Sequence, residues 1–250
     1  DHPVRLALDI RMLYSVAANG EPCKFGLCSS AAVCVALTAF LFRYLGATLD
    51  FPIFLAAHRL LQQGRGSGVD VASSFAGGVI AYTCAADAAP TLRNLEWPAG
   101  LHVRPVWTGQ PASTATMLDS LARFQATHSD VYEPLMAELC AASSFAVAQW
   151  EAAQPAALLA ALQDFADRLQ ALDTAADMGI WSASHRELRK AATASGVVYK
   201  PSGAGGGDCG LAFSDDAELL EQAAQEFVRL GYEVPELAMA SSGLEVPGVS

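Results

Sequence analysis

The chain has 250 residues, of which 52% are hydrophobic and 16% charged, and its formal net charge at pH 7 is -11. This length and composition describe a globular protein with one large domain or two ordinary ones, and they exclude a disordered chain. The acidic balance, with no basic stripe, argues against nonspecific nucleic-acid binding. The longest apolar run, residues 31–42, is too short to span a membrane and predicts a buried helix. We therefore expect neither nucleic-acid nor membrane partners.

The six cysteines form no CxxC pair and no histidine-linked metal spacing. This pattern favours reduced thiols over disulfides or a zinc site, and it predicts a cytoplasmic protein. No signal peptide is visible after Asp1, and the abrupt start predicts that the sequence is cut from a longer one.

Partial alternation of apolar and polar residues predicts a first strand over residues 4–15. After a turn and a loop of small residues, Ser29 and Ser30 are helix-start residues of an apolar helix that ends near Gly46. A second helix is predicted over residues 53–63. A glycine loop, a short helix of small residues and a strand over residues 79–83 follow.

Residues 85–100 have mixed polarity and are the best candidate for a domain junction, so we predict domains at 1–90 and 91–250. A strand over 101–107 then enters the polar segment TGQPAST, which predicts a helix beginning near Ser113 or Thr114. Helical patterns continue to about residue 194. The segments VVY and LAF are predicted strands around a glycine loop, a helix begins near residues 214–216, and the tail after residue 238 predicts a final strand and a frayed end.

Three motifs contain residue types suited to binding phosphate groups. In GLCSSAAV, small residues lead two hydroxyls into a helix N-terminus, whose unpaired N–H groups and dipole favour an anion, although simple capping explains the serines equally well. In GSGVDVA, Asp70 follows a glycine loop and is either a functional acid or a helix cap. SGAGGGDCG has five glycines within eight residues between apolar strands, which indicates close approach of a partner to the backbone, or else a flexible loop.

In this order the motifs resemble those of the GHMP kinases. KFGLCSSAAV is similar to the second motif of that superfamily, KPSGAGGGDCG to the third, and GSGVDVA stands at the intervening position. VWTGQPASTATM resembles the WTxxPAS stretch of phosphomevalonate kinases of the bacterial type. The resemblance implies an α+β chain with the GHMP kinase fold, in which a ribosomal protein S5 domain 2-like N-terminal part precedes a ferredoxin-like C-terminal domain. The resemblance begins inside the first of these, so we expect that part to be truncated.

The resemblance implies that ATP donates its γ-phosphoryl group to 5-phosphomevalonate, giving 5-diphosphomevalonate in the mevalonate pathway of isoprenoid biosynthesis, with Mg²⁺ as cofactor. Two alternatives stay open: a sibling kinase that acts on an alcohol such as mevalonate, and a non-catalytic metabolite-binding member. Either a monomer or a homodimer is compatible with the sequence.

The resemblance also implies roles for individual residues. Asp70 and Ser30 are the expected catalytic residues, and Ser30 is also the expected Mg²⁺ ligand. The residues expected to bind the ATP phosphates are Gly26, Leu27, Cys28, Ser29 and Ser30, with Cys28 standing where the family usually has glycine. The residues expected to bind the acceptor are Lys24, Arg65, Gln110, Ser113, Thr114, Lys200, Ser202, Gly203, Ala204, Gly205 and Gly206.

Overall fold

A computed structural model describes residues 6–11, 14–16, 22–24, 29–62, 64, 66–85 and 88–246. Its elements in chain order are β1 (Tyr14–Val16), β2 (Pro22–Lys24), α1 (Ser29–Tyr44), α2 (Phe51–Leu61), α3 (Val69–Ala76), β3 (Val79–Thr83), β4 (Thr91–Leu95), β5 (His102–Trp107), α4 (Thr114–Thr127), α5 (Ser129–Glu151), α6 (Pro155–Ala176), α7 (Ala183–Ala194), β6 (Val198–Pro201), β7 (Cys209–Ser214) and α8 (Ala217–Arg229). Helices and antiparallel sheets confirm the predicted α+β class.

The elements form two compact units, each made of three chain segments. Unit 1 consists of Asp1–Leu27, His102–Leu139 and Ala166–Pro235. Unit 2 consists of Cys28–Leu101, Cys140–Phe165 and Glu236–Ser250. These units are defined by contacts between distant segments, so they differ from the division into 1–90 and 91–250, which stays a prediction.

The core of unit 2 follows from the spacing of small and apolar residues on α1. Ala31, Val35 and Ala39 recur every four residues and are therefore on one helix face, where all three are buried. This face packs with Phe54 of α2 and Val71 of α3 in one hydrophobic cluster. The same unit contains the antiparallel hairpin of β3 and β4.

Unit 1 is built on a three-stranded antiparallel sheet in the order β5-β7-β6. Helix α8 packs against β5 and β7, and α7 packs against β6. The side chain of Asp216 caps the N-terminus of α8 by accepting bonds from the backbone N–H groups of Glu218 and Leu219. The apolar face of α8, which includes Leu220 and Phe227, completes the core over the sheet.

Two predicted strands are wrong. Of the predicted strand over 4–15, residues 6–10 have no regular structure, and β1 contains only residues 14–16. In the tail, residues 238–246 form no strand. The predicted junction at 85–100 contains β4, a mostly exposed strand whose alternation is weak and whose partner is β3, and the junction itself stays a prediction.

The tail instead packs against the turn between α3 and β3. Gly78 N donates to Ala240 O at 2.8 Å, and Leu244 N donates to Phe75 O at 3.0 Å. A Cβ atom on Gly77 would lie 2.1 Å from the carbonyl carbon of Ser242, so only glycine leaves room for this approach. Within the described ranges, no helix is long and apolar enough to cross a bilayer.

Candidate functional site

In unit 2, the N-terminus of α1 presents the two predicted phosphate-binding serines. Ser29 is partly exposed and Ser30 is exposed at the first turn of the helix, where backbone N–H groups have no intrahelical partner. Helix α1 packs directly against α3, which has Asp70 in its first turn. Burial raises the pKa of Cys34, one helical turn beyond Ser30; a hydrogen bond with Thr38 lowers it, and the charge of Asp70 raises it further. The negative charge of Asp70 therefore acts on the α1 face that begins at Ser30.

The loop before Asp70 is held in place by two side chains. Tyr82 donates its hydroxyl hydrogen to Ser67 O at 2.7 Å. Gly68, with φ +80, lies so close to Leu55 that a Cβ atom would be 2.1 Å from its Cδ1 atom. The glycine loop thus sets where α3 begins, and with it the position of Asp70.

A histidine that sequence analysis did not single out lies next to Asp70. His58 of α2 is 2% exposed, and its Nε2 atom is 3.8 Å from Asp70 Oδ2. The same nitrogen is 3.2 Å from Gln62 Nε2. Asp70 Oδ1 accepts a bond from Val71 N at 2.9 Å, and the side chain is 27% exposed. One oxygen therefore faces the buried histidine, while part of the carboxylate is open to a ligand.

In unit 1, the glycine segment (residues 203–207) joins β6 to β7. Gly203, Gly205 and Gly206 have φ values of +65, +77 and +76, a region in which side chains are strained. Gly206 N donates to Ile180 O at 2.7 Å. The segment is therefore anchored to unit 1 at Gly206, which favours a packed segment over a flexible surface loop.

The segment WTGQPAS packs against the glycine segment. Asp208 N donates to Gln110 O at 2.6 Å, and Thr108 N donates to Asp208 O at 2.8 Å. A Cβ atom on Gly207 would lie 2.5 Å from Gln110 O, and one on Gly206 would lie 2.1 Å from Cε of Met117 in the first turn of α4. The α4 N-terminus and the glycine segment thus form one surface.

Asp208 links these two segments from a strained backbone position. Its φ is +51, a value that is uncommon outside glycine. Burial raises the pKa of its carboxyl group, and a hydrogen bond from the Ala112 backbone lowers it. Ala112 lies just before Ser113, whose side chain caps α4 by accepting a bond from Thr116 N at 3.4 Å. Asp208 therefore fixes where α4 begins.

A lysine flanks the glycine segment on β6. Lys200 Nζ donates to Pro201 O at 2.8 Å. Burial lowers the pKa of Lys200 to about 8. A phosphate group near this lysine would favour its charged form, so the lysine is suited to bind an anion.

The chain is similar to proteins of known family and structure. A family model described as the GHMP kinases N terminal domain matches residues 8–78. A phosphomevalonate kinase of Streptomyces sp. (strain CL190) is 34% identical over 216 residues, which cover 77% of this chain and 58% of that relative. Both matches relate the chain to the GHMP kinases. It spans less than two thirds of this curated relative's length.

Solved structures share the fold of this chain. The Lin0012 protein from Listeria innocua superimposes with a TM-score of 0.79 at 28% identity, over 88% of this chain and 68% of that one. Streptococcus pneumoniae phosphomevalonate kinase, in complex with phosphomevalonate and AMPPNP, superimposes with a TM-score of 0.71 at 22% identity, over 88% and 70%. The predicted S5-like and ferredoxin-like parts agree with this fold.

The structure brings together many of the site residues expected of a GHMP kinase, each set within its own unit. Ser29, Ser30 and Asp70 belong to unit 2, whereas the unit 1 set lies on β6, the glycine segment and the α4 N-terminus. The members of the unit 1 set are Gln110, Ser113, Thr114, Lys200, Ser202, Gly203, Ala204, Gly205 and Gly206. Gly26, Leu27, Cys28 and Arg65 lie outside the described residues, and Lys24 lies in β2 with a side chain that is not described.

The described part of the chain contains no cluster of three or more histidine, cysteine or acidic residues able to hold a metal ion. Mg²⁺ commonly needs only one or two protein oxygen ligands, because substrate phosphates and water complete its octahedral shell. The Ser30 hydroxyl and the Asp70 carboxylate are hard oxygen donors of this type. The donor chemistry therefore fits Mg²⁺ delivered with ATP.

Proposed function

We propose that this protein is a GHMP kinase that transfers the γ-phosphoryl group of ATP to 5-phosphomevalonate, giving 5-diphosphomevalonate and ADP. The observation that carries the proposal is the direct packing of the WTGQPAS segment on the glycine segment, with Asp208 N bonded to Gln110 O. The resulting surface combines a helix N-terminus, glycine backbone and Lys200, all of which favour a phosphate. The 34% identity to a phosphomevalonate kinase supports the same acceptor.

The acceptor in this reaction is itself a phosphate, whose second ionisation is near pH 6. Most of it is therefore already nucleophilic at pH 7, and a strong general base matters less than it would for an alcohol. Charge neutralisation and alignment of the two anions then supply most of the catalysis. The partly buried carboxylate of Asp70 fits a role in positioning a cation more than one in removing a proton.

Gln110, Ser113, Thr114, Lys200 and the glycine segment with Ser202 and Ala204 are the proposed acceptor-binding groups. The proposed ATP-phosphate cradle is the turn of Gly26, Leu27 and Cys28 with Ser29 and Ser30. Mg²⁺ would be held by Ser30, Asp70 and the phosphates, and it would supply charge neutralisation. Lys24 and Arg65 are proposed as further positive charges.

We also propose that the enzyme acts in the cytoplasm. The four cysteines within the described residues, namely Cys34, Cys84, Cys140 and Cys209, are free thiols. Free thiols are typical of a reducing compartment.

An ADP-release assay tests the proposal with three acceptors: phosphomevalonate, mevalonate and homoserine. We expect the parent protein to turn over phosphomevalonate. In Asp70→Asn the turnover should be at least a hundredfold lower, which corresponds to a loss of about 2.7 kcal/mol of transition-state stabilisation. Asp130→Asn is the control, because Asp130 is also in the first turn of a helix, α5, but is exposed and lies outside the proposed site. Preference for an alcohol acceptor, or near-normal turnover in Asp70→Asn, would contradict the proposal.

A further inference from the structure

The glycine segment is supported from behind by a buried histidine. His185 of α7 is 0% exposed, and both of its ring nitrogens have a partner. Nε2 is 3.0 Å from Gly207 O, and Nδ1 is 2.8 Å from the hydroxyl oxygen of Tyr199 on β6. Tyr199 is 1% exposed, so no water competes for these bonds.

The chemistry of the partners fixes the direction of both bonds. A carbonyl oxygen only accepts, so Nε2 of His185 carries the hydrogen that bonds Gly207 O. In the neutral ring Nδ1 then has a lone pair and accepts the hydroxyl hydrogen of Tyr199. Burial lowers the pKa of His185 and raises the pKa of Tyr199, so both groups remain neutral. The result is a one-way chain of bonds from Tyr199 through His185 to Gly207.

Glycine on the adjacent strand makes room for this chain. A Cβ atom on Gly210 of β7 would lie 1.9 Å from the Tyr199 hydroxyl oxygen and 2.3 Å from its ring carbon. Any side chain at Gly210 would therefore displace the tyrosine from His185. The space that Tyr199 occupies therefore explains the glycine at position 210, and no close approach of a ligand is required to explain it.

A buried carboxylate supports the neighbouring glycine. Asp173 of α6 is 7% exposed, and its two oxygens accept bonds from Ile180 N and Trp181 N, each at 2.8 Å. Ile180 O in turn accepts the bond from Gly206 N at 2.7 Å. Gly205 is also in close contact with Ile180, since a Cβ atom on Gly205 would lie 2.5 Å from Ile180 Cγ2. Asp173 therefore acts on the glycine segment through the backbone of Ile180.

We propose that His185, Tyr199 and Asp173 are positioning residues, which fix the backbone of Gly206 and Gly207 in the orientation that binds the phosphate of the acceptor. This inference rests on the proposed function, because the acceptor is the ligand assigned to the glycine segment. None of the three side chains needs to touch the substrate. Their effect passes through the carbonyl of Gly207 and the N–H of Gly206.

Steady-state kinetics with three variants test the inference. Tyr199→Phe removes only the hydroxyl, His185→Leu removes both bonds, and His185→Gln supplies an amide N–H that can bond Gly207 O. In Tyr199→Phe and His185→Leu we expect the KM for phosphomevalonate to rise about fivefold or more, while that for ATP changes less than about twofold. In His185→Gln we expect the KM for phosphomevalonate to recover to within about twofold of the parent value.

Leu188→Ala is the matched control, because Leu188 lies one turn further along α7, is 0% exposed and belongs to the hydrophobic core. It should lower the melting temperature without changing the KM for phosphomevalonate. If it raises that KM as much as Tyr199→Phe does, loss of packing explains the effect and the inference is overturned. If His185→Leu does not fold, the comparison of Tyr199→Phe with Leu188→Ala decides the matter.

Hydrogen–deuterium exchange tests the same inference without any assay of activity. The amides of Gly206 and Asp208 should exchange faster in Tyr199→Phe than in the parent, relative to the amides of β5 in the same sample. Faster local exchange in a protein that does not phosphorylate phosphomevalonate would refute the proposed function and retain the positioning role. Unchanged local exchange and unchanged KM in an active enzyme would refute the positioning role alone.

Discussion

Gly207→Ala tests whether the fit between the WTGQPAS segment and the glycine segment controls binding of the acceptor. The added Cβ atom would lie 2.5 Å from Gln110 O and 3.0 Å from the carbonyl carbon of Pro111. An ordinary contact begins near 3.4 Å, so the two segments must separate by about 0.9 Å. The nearest atoms belong to the backbone, which cannot rotate away as a flexible side chain would.

We expect this separation to lower kcat/KM more strongly than it lowers the free energy of unfolding. A misplacement of about 1 Å in a binding site can lower the rate about a hundredfold, equivalent to about 2.7 kcal/mol. We therefore expect kcat/KM for phosphomevalonate to fall about a hundredfold. Overpacking of this kind lowers the free energy of unfolding by about 1 to 3 kcal/mol, so the variant should still be folded at 25 °C.

Steady-state kinetics and thermal unfolding of Gly207→Ala measure the two effects. Gly231→Ala is the control, because its φ is +92 but a Cβ atom there meets nothing within 4 Å. This control should lose about 1 kcal/mol of stability and keep its kinetics. The reasoning is refuted if Gly207→Ala keeps kcat/KM within about threefold of the parent, or if Gly231→Ala loses as much.

Three further predictions concern single side chains. Ser113→Ala should raise the KM for phosphomevalonate and leave that for ATP almost unchanged, as measured by steady-state kinetics, and equal effects on both would contradict it. Burial lowers the pKa of Lys200 to about 8, so kcat/KM for phosphomevalonate should fall as pH rises through about 8. In Lys200→Arg the side chain stays charged, so this fall should be abolished. Burial lowers the pKa of His185; the bond to Gly207 raises it and the charge of Lys200 lowers it. Below about pH 6.5 this histidine is therefore protonated in the unfolded chain but stays neutral in the folded chain. Stability should therefore fall as pH drops below about 6.5, and His185→Gln should show a smaller fall in urea midpoint between pH 7 and pH 5; equal falls would contradict the prediction.

Local signals in the sequence predicted the elements that carry the candidate site. Hydroxyl residues marked the start of α1 at Ser29 and of α4 at Thr114, and in α4 the cap is made by Ser113 within three residues of its partner Thr116. The glycine break before residue 79 predicted β3 at residues 79–83, as observed. Where the residues that stabilise an element are near one another in sequence, the sequence pattern predicts that element.

Other features depend on partners that are distant in sequence. His185 lies on a helix, and its carbonyl partner Gly207 is 22 residues away, so no periodicity marks it as a support of the glycine segment. The pair of Asp70 and His58 belongs to two helices that meet only in the folded unit. Pairing with β3 likewise creates β4, whose own residues are mostly exposed. A polar residue with helical spacing beside apolar positions is the one signal that could have drawn attention to His185.

The tail that packs on Gly77 has a consequence for folding during synthesis. Leu244 N reaches back to Phe75 O, about 170 residues earlier, and Leu244 and Val246 pack against the core of unit 2. Contacts of such long range form late, so this core remains incomplete on the ribosome until the tail has emerged. A nascent chain that stops at residue 235 should lack the packing of Leu244 and Val246 on that core and should bind chaperones more than the longer chain does, although every described helix and strand has ended by Arg229.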